Sequence, residues 1–291
     1  MDRQAGTPDP INNQGRIRRS LRLTATAWGL IRRDRTMLAI AVLSTILTLG
    51  GATLIFAVGG YFDHPGGSTP RLGLIWIIAS FPLTWIATYL NVALAAAASE
   101  ALDGRRLGLR QALGVAQGRL LQITTWALLA TAVGILIREV LGRIPWGGRI
   151  ATAVAGSAWS LATLFAVPIL ALEGCSALSC AERSAKLFKA RWGEGVAGAL
   201  VIGAWTVIVG IPAGLAIGVG AGIHEGGSAG AGIALMAAGL VGLTTVVAFA
   251  SAAREVFAVA LYRYAQDPTT SRVFPASELA RPLVKRRRRR R

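Results

Sequence analysis

The sequence predicts an all-α, polytopic membrane protein: a bundle of about six transmembrane helices with amphipathic helices lying along the membrane surface. Of the 291 residues, 53% are hydrophobic, and the mean hydropathy of +0.53 is high for a soluble chain. The apolar residues gather into runs near the ~20 residues that a helix needs to cross ~30 Å of hydrocarbon. These runs lack the alternation that membrane-spanning strands require, so we expect helical spans.

Two polar tails flank a predicted transmembrane domain that covers residues 20–266. Residues 1–19 are rich in Asn, Pro, Gly and Arg and contain no apolar core of a cleavable signal peptide, so a disordered tail is predicted. Between residues 20 and 35, apolar residues at helical spacing are surrounded by arginines, which indicates an interfacial helix before the first span. Residues 267–291 form the second polar tail.

The apolar runs predict six spans. Pro82 interrupts the second of them, and a proline in a membrane helix is typical of a kink packed against neighbouring helices. The last apolar run is longer than one crossing needs. Two registers are therefore open to the last span: an earlier one, or a later one that ends at Tyr262 and Tyr264. The predicted spans are residues 37–59, 72–98, 120–137, 150–172, 196–223 and one crossing within 229–264.

The stretch from Pro168 to Glu194 joins the fourth and fifth spans and predicts a helix on the membrane surface. Ser179 and Glu182 have the spacing of a capping box, so this helix is expected to start at Ser179. Its apolar and basic residues separate onto opposite faces, as in helices that lie along lipid headgroups. The apolar stripe is Ala181, Ala185, Phe188 and Trp192, and the other side carries Glu182, Arg183, Lys186 and Lys189.

A second surface helix is predicted before the third span. Its apolar stripe consists of Leu109, Ala112, Leu113, Ala116 and Leu120. Gly104 precedes this second surface helix, just as Gly174 precedes the surface helix between the fourth and fifth spans. A unit of span, surface helix and span is therefore predicted to occur twice.

The distribution of basic residues predicts the orientation. Most of the 31 Lys and Arg residues fall on one side of the predicted spans, whereas the opposite side carries Arg71, Arg138, Arg143 and Arg149. Because the basic side of a membrane protein faces the cytoplasm, both termini are expected there. The net charge of +17 is therefore interpreted as a topology signal, and nucleic acid is not the expected partner. The excess of Arg over Lys favours a GC-rich bacterial source, and hence a bacterial plasma membrane.

No cofactor, metal site or catalytic residue is predicted, and the protein is not expected to be an enzyme. Cys175 and Cys180 fall on the predicted cytoplasmic side, where thiols stay reduced, and two thiols are too few for a structural zinc site. His64 and His224 are interpreted as solvated loop residues, with a metal or proton site between the outer loops as the alternative. The chain has no P-loop, HExxH motif or nucleophile elbow.

The fifth span carries glycines at intervals of four residues. Such a ladder lets another helix backbone approach closely in lipid, so helix packing is predicted, with a glycine-lined permeation path as the alternative. Pro212, inside the ladder, indicates a bend. The predicted helix-packing glycines are Gly210, Gly214, Gly218 and Gly222.

Two adjacent charges, Arg254 and Glu255, lie in the last apolar run. In the later register they lie inside the bundle and each needs a partner on another helix, whereas in the earlier register they lie at the cytoplasmic interface. An ionised group inside a span costs ~2.5–3.5 kcal/mol on insertion scales, and neighbours in sequence do not face one another on a helix. Arg254 is expected to pair with Glu173, with Glu100 as the next candidate. The predicted intramembrane charge network is Arg254, Glu255, Glu173 and Glu100.

The last seven residues predict binding to anionic lipids of the cytoplasmic leaflet. Each cation near such a surface contributes ~1 kcal/mol, and binding to RNA is the alternative. The residues are Lys285, Arg286, Arg287, Arg288, Arg289, Arg290 and Arg291.

Three short motifs resemble a family of bacterial six-helix integral membrane proteins of unknown function. They are Pro168-x4-Glu173-Gly174, then Arg183-Ser184-x2-Leu187-x4-Trp192-Gly193-Glu194, then Leu261-Tyr262-x-Tyr264-Ala265. The chain is more distantly similar to the membrane domain found beside glycerophosphodiester phosphodiesterases, without their catalytic domain. The resemblance covers roughly residues 16–266 and implies six spans and the later register of the last helix.

Two function classes agree with these observations. Short loops, sparse intramembrane charge and basic surface helices favour a non-enzymatic scaffold or accessory component of an envelope process, with a membrane protein or a second copy as partner. Pro82, Pro168 and Pro212, together with the possible repeat and the Arg254–Glu255 pair, favour a transporter or channel for a small solute or lipid.

Overall fold

The computed structural model describes residues 34–58, 70–144, 148–192 and 197–266. Within these ranges every regular element is helical, as the sequence predicts. In chain order the helices are α1 (Arg35–Val58), α2 (Pro70–Leu102), α3 (Leu109–Gln117), α4 (Leu120–Leu136, continued by a π turn, Ile137–Leu141), α5 (Gly148–Ala162), α6 (Ala166–Glu173), α7 (Ala177–Trp192), α8 (Ala197–Glu225) and α9 (Ala229–Gln266).

Five stretches of the described helices are long and apolar enough to cross a membrane: Arg35–Leu54, Ile77–Leu102, Leu120–Leu141, Gly148–Glu173 and Gly230–Gln266. The predicted fifth span coincides with α8, a helix of 29 residues whose side chains are described from Gly210 onward. The protein is therefore an all-α polytopic membrane protein, and the predicted fold class is confirmed.

Several predictions fall outside the described residues. They concern the N-terminal tail, nearly all of the interfacial helix at residues 20–35, the loop with His64, and the tail with Lys285 and the six arginines. Of the predicted interfacial helix only its last residues are described, and Asp34 there is the residue just before α1. Its carboxylate accepts a hydrogen bond from the Thr36 N–H at 2.9 Å, so Asp34 caps α1.

The second half of α9 is the centre of the bundle. From Ala252 to Ala265 most of its side chains are buried. The helices α1, α2, α6 and α8 pack against α9, and the described part of α8 contacts its first half. On α2, the run from Val92 to Ala98 is also buried. Small residues in this run allow close backbone approach, which compensates for the missing hydrophobic drive between helices in lipid.

Polar side chains on α2 fasten the next two helices. Trp85 Nε1 donates to Thr124 Oγ1 of α4 at 2.9 Å, and the Tyr89 hydroxyl donates to the Leu113 carbonyl of α3 at 3.3 Å. The rings of Trp85 and Tyr89 stack with their centroids 5.6 Å apart. These contacts give α3 and the start of α4 a defined position beside α2.

The predicted surface helix before the third span is α3, and the centre of its apolar stripe is correct. Ala112 and Ala116 are completely buried and Leu113 is half-buried, whereas Leu109 and Leu120 at the two ends are exposed. Leu109 is the first residue of α3 and Leu120 already belongs to α4, so the buried stripe of this nine-residue helix is confined to its middle.

The predicted repeated unit of span, surface helix and span is present twice in the helix order. Gly104 follows α2 and precedes α3 and α4, and Gly174 follows α6 and precedes α7 and α8. Both glycines have left-handed backbone conformations, with φ of +77° and +68°. Only glycine adopts this region readily, so each residue ends a helix and turns the chain onto the surface.

Candidate functional site at the polar end of the bundle

The helices α2, α6 and α9 end at the same face of the bundle, which we call the polar end. The first two end at Leu102 and Glu173, and α9 ends at Gln266. Side-chain bonds between these ends and the neighbouring α7 bring together residues far apart in sequence: Ser99, Glu100, Asp103, Arg105, Glu173, Arg183, Tyr262, Arg263 and Gln266.

The fourth span breaks between α5 and α6, at residues 163–165. Pro168 explains the break, because its ring displaces the carbonyl four residues earlier and it has no N–H to donate. Ser184 of α7 bridges the gap and is completely buried. Its hydroxyl accepts a hydrogen bond from Phe165 N–H at 3.0 Å and donates to the Ala162 carbonyl at 2.7 Å. One side chain of α7 thus satisfies a donor and an acceptor that the break releases.

Glu173, at the end of α6, joins three helices. One carboxylate oxygen accepts hydrogen bonds from the Tyr262 hydroxyl and from Gln266 Nε2 of α9, the latter at 2.9 Å. The other oxygen forms an ion pair with Arg183 of α7. The side chain of Glu173 is 26% exposed, so the pair lies at the edge of the bundle rather than in its interior.

The predicted pair between Arg254 and Glu173 is wrong. Arg254 Nη2 instead donates to Ser160 Oγ of α5 at 3.3 Å, and Glu173 bonds to Tyr262. The reason is the length of α9, which continues as one helix past both predicted registers. Arg254 lies eight residues before Tyr262, which is about 12 Å along the helix axis.

A second set of bonds fastens α9 to the end of α2. Arg263 Nη2 donates to Asp103 Oδ1 at 2.7 Å, and Arg263 Nη1 donates to the carbonyl of Ser99 at 2.9 Å. Glu100, the other predicted partner of Arg254, pairs with Arg105 at 2.6 Å. The hydrogen bond and the negative charge of Glu100 raise the pKa of Arg105. Sequence alone does not predict these pairs, because their partners lie up to 164 residues apart.

Gly174 lies under the side chain of Arg119, where α3 meets α4. A Cβ added at Gly174 would overlap the Arg119 guanidinium, and the φ of +68° disfavours other residues. At Gly104, the counterpart in the other repeated unit, no described atom lies within 4 Å of an added Cβ. The two equivalent turns therefore differ in packing although their backbones match.

Cys175 and Cys180 form a disulfide, so the predicted reduced state of these thiols is wrong in the structure. Their Cα atoms are 5.7 Å apart, within the range for disulfides. The predicted start of the surface helix is also wrong. Cys180 N–H donates to the carbonyl of Ser176 at 2.8 Å, so α7 begins at Ala177 and the Ser179–Glu182 capping box does not form. The earlier start puts Cys180 in the first turn, facing Cys175.

The two faces of α7 separate as predicted, with a shift of the buried stripe. The basic side is exposed, and Lys186 Nζ pairs with Glu182 Oε1 at 2.5 Å. The hydrogen bond and the charge of Lys186 lower the pKa of Glu182. The completely or largely buried residues are Ala177, Cys180 and Ser184, so the buried stripe is shifted by about one residue from the predicted one, while Ala181, Ala185 and Phe188 are half-buried. The side chain of Trp192 lies outside the described residues.

The predicted helix-packing glycines are not the ones that bring helices together within the chain. No described atom lies within 4 Å of a Cβ added at Gly214, Gly218 or Gly222, and one at Gly210 would meet Leu243 at an ordinary 3.8 Å. The close contacts between α8 and α9 occur at Gly220, Gly232 and Gly239. At these positions an added Cβ would come within 2.6–2.8 Å of the facing backbone.

The second half of α9 also holds Glu255, the remaining member of the predicted charge network. Glu255 is 9% exposed, and its Oε1 has no hydrogen-bond partner among the described residues. In the part of the chain that the structure describes, no three His, Cys, Asp or Glu side chains lie close enough to hold a metal ion. The site thus consists of helix-joining polar groups and one buried carboxyl.

A model of a protein family described as a family of unknown function (DUF6159) matches residues 72–272. The chain belongs to this family. The match covers the polar end, the α8–α9 hairpin and Glu255, and begins after α1. Searches of curated proteins and of solved structures found no match.

The motifs that carried the family resemblance meet at the polar end. Arg183 and Tyr262, from two of the motifs, both bond to Glu173 from the third, and Ser184 bridges the break before Pro168. The motifs contain these residues, but their spacing does not predict the contacts between them. Asp103, Arg263 and Gln266 are partners that the sequence pattern does not indicate. The signal that could have pointed to the last two is their position one residue and one turn after Tyr262.

Proposed function

We propose that this protein is a non-enzymatic scaffold or accessory component of a bacterial envelope process. The observation that carries the proposal is the outward face of α8. Gly214, Gly218 and Gly222 are exposed there, and α8 packs mainly against α9 within the described residues. A glycine ladder on an open membrane face allows a second helix to approach closely, from another membrane protein or a second copy. The polar end, by contrast, uses its groups to join helices of the same chain.

The test uses a double change, Gly214→Leu with Gly218→Leu, in full-length protein. Large side chains at these exposed positions should leave thermal stability nearly unchanged and abolish chemical cross-linking to a neighbouring helix in native membranes. The matched control is Leu215→Ala, which removes bulk from an exposed position on the same helix. A cross-linking pattern identical to that of the unchanged protein contradicts a scaffold that binds through this face.

The transporter or channel remains the second candidate, and Pro168 together with Glu255 favours it. A helix broken inside a membrane and a buried carboxyl are features of transport proteins. Thermal stabilisation of the purified protein by one solute out of a panel of ions, amino acids, sugars and lipids would favour transport. A uniform melting temperature across the panel would favour the scaffold.

We propose a bacterial plasma membrane with both termini in the cytoplasm, supported by the excess of Lys and Arg on the predicted inner side. The disulfide between Cys175 and Cys180 argues in the other direction, because disulfides persist mainly outside the cytoplasm. The charge excess involves many residues of the chain, so we rank it above one disulfide. Reporter fusions after Gly66 and after Gly227 should then read external, and a cytoplasmic reading at either contradicts this topology.

The polybasic tail is proposed to bind anionic lipids at the cytoplasmic leaflet. Its seven cations would lie within a Debye length of that surface. A peptide of residues 267–291 should bind liposomes that contain phosphatidylserine and ignore neutral ones. Binding to RNA at physiological salt without binding to such liposomes would replace this proposal by a nucleic-acid role.

A further inference from the structure

Glu255 is buried in the part of α9 that forms the centre of the bundle. The residue is 9% exposed, and its neighbours in sequence and one turn away, Val256, Ala252 and Val259, are completely buried. It lies seven residues before Tyr262, about 10 Å along the axis from the polar end. Glu255 also lies within Gly230–Gln266, a stretch that is long and apolar enough to cross a membrane.

Within the described ranges Glu255 forms no ion pair, and the charge of the adjacent Arg254 acts on it without a salt bridge. Oε1 is buried without a hydrogen-bond partner among the described residues. Arg254, the adjacent residue, points about 100° away around the helix and donates to Ser160 of α5. The other carboxylates at the polar end bond elsewhere: Glu173 to Arg183, Asp103 to Arg263 and Glu100 to Arg105.

Among the described residues, the helices that pack against α9 bring no charge into this region. The described side chains at residues 36–54 of α1, 77–99 of α2 and 166–172 of α6 include no charged or histidine residue. The described side chains of α8, from Gly210 onward, face the first half of α9 rather than Glu255. The charged residues at the ends of these stretches are Asp34 and Arg35 at the start of α1, Glu100 on α2 and Glu173 on α6. Asp34 caps its own helix through Thr36 N–H. The charged residue nearest to Glu255 in sequence is Arg254, and its side chain is hydrogen-bonded to Ser160 of α5.

We propose that Glu255 is a proton-binding site within the membrane. An isolated carboxylate is costly in a low-dielectric interior, and binding a proton from water removes the charge. A metal cation is the weaker fit, because hard cations need several oxygen ligands, whereas one proton needs one carboxylate oxygen. Among the described residues no three His, Cys, Asp or Glu side chains lie close enough together to hold a metal ion. This site goes beyond the proposed scaffold role and does not depend on it.

The test is labelling of the full-length protein in membranes with dicyclohexylcarbodiimide, which partitions into lipid and reacts with protonated carboxyls. The carboxylic O–H adds across one C=N bond, so that an O–C bond forms and the proton moves to nitrogen. The O-acylisourea then rearranges to a stable N-acylurea without loss of a group or change in oxidation state. Peptide mass spectrometry locates the adduct on the unchanged protein, so the result does not depend on whether a variant folds.

We expect an adduct on Glu255 whose rate of formation falls as the pH of the medium rises. A water-soluble carbodiimide with an added amine should modify exposed Glu182 and leave Glu255 unmodified. Glu255→Gln should lose the lipid-soluble adduct completely, and the control Glu182→Gln should keep it. Absence of an adduct on Glu255, or a rate independent of pH, overturns the proposal. Protection by sodium at constant pH overturns it in favour of a cation site.

Discussion

The polar end of the bundle and the hairpin of α8 and α9 hold their helices together by different means. At the polar end, Glu173 and Asp103 join helix ends through charged and hydrogen-bonded side chains. In the hairpin, Gly220, Gly232 and Gly239 let the two backbones touch. The polar end is partly open to solvent, where charged groups keep some hydration. The hairpin faces lipid, where packing of small residues replaces the hydrophobic drive.

The role of a polar motif or of a glycine motif depends on what surrounds it in the folded bundle. At the polar end Glu173 and Asp103 join helices through Arg183 and Arg263, whereas Glu255, eleven residues before the end of α9, has no ion-pair partner among the described residues. Likewise, the regular glycine ladder of α8 faces outward, and isolated glycines on the other side make the contacts. Four predictions separate these roles.

The largest effect is expected at Ser184, which links the polar end to the broken fourth span. Ser184→Ala removes the acceptor of Phe165 N–H and the donor to Ala162 C=O, so the loss should be about 2–4 kcal/mol. Unfolding in mixed micelles with a denaturing detergent measures it. Ser179→Ala, an exposed position on the same helix, is the control and should change stability little. Equal losses at both positions would contradict the bridging role.

The hairpin should respond to the position of a methyl group on its glycines. Gly232→Ala places a Cβ within 2.6–2.7 Å of the backbone at His224 and Gly220, and we expect a loss of about 1–3 kcal/mol from overpacking. Gly218→Ala, with no described atom within 4 Å, should be neutral or slightly stabilising. Thermal unfolding of the two variants gives the comparison. A larger loss at Gly218 would restore the ladder as the packing face of α8.

The polar end should show coupling between Glu173 and Tyr262, and none between Glu173 and Arg254. In a double-mutant cycle, Glu173→Gln with Tyr262→Phe should give an interaction energy of about 1 kcal/mol, reduced by the partial exposure of the carboxylate. Glu173→Gln with Arg254→Leu should be additive within about 0.5 kcal/mol. Unfolding of the single and double variants in detergent measures both. An interaction energy between Glu173 and Arg254, with none between Glu173 and Tyr262, would contradict the pairing in the structure.

The smallest effect is expected on the exposed face of α7, where pH tests the Glu182–Lys186 pair. Lys186 lowers the pKa of Glu182 in the folded protein, so the pair stabilises the fold above the ordinary pKa of Glu. This contribution should disappear as the pH falls through the lowered value. The difference in melting temperature between the unchanged protein and Glu182→Gln should therefore be small at neutral pH and vanish in acid. A difference that grows in acid would have the wrong sign.

Much of the fold follows from local sequence. The length of each apolar run predicts a span, because a helix rises by a constant amount per residue and the hydrocarbon has a nearly constant thickness. Gly104 and Gly174 end helices because the left-handed conformation is a property of the residue itself. The exposed face of α7 follows from the spacing of its charges, although its first residue was predicted two positions too late.

The tertiary structure decided which residues meet, because the rotation of each helix about its axis depends on packing with several neighbours at once. In the folded bundle Glu173 bonds to Tyr262 and Arg183 rather than to Arg254. The tertiary structure also turned Gly220 toward α9 and the regular ladder outward, and closed the disulfide between Cys175 and Cys180. A helical pattern defines a stripe, but a shift of one residue turns that stripe by about 100°. Only the packed bundle selects the angle, and with it the partners at the polar end.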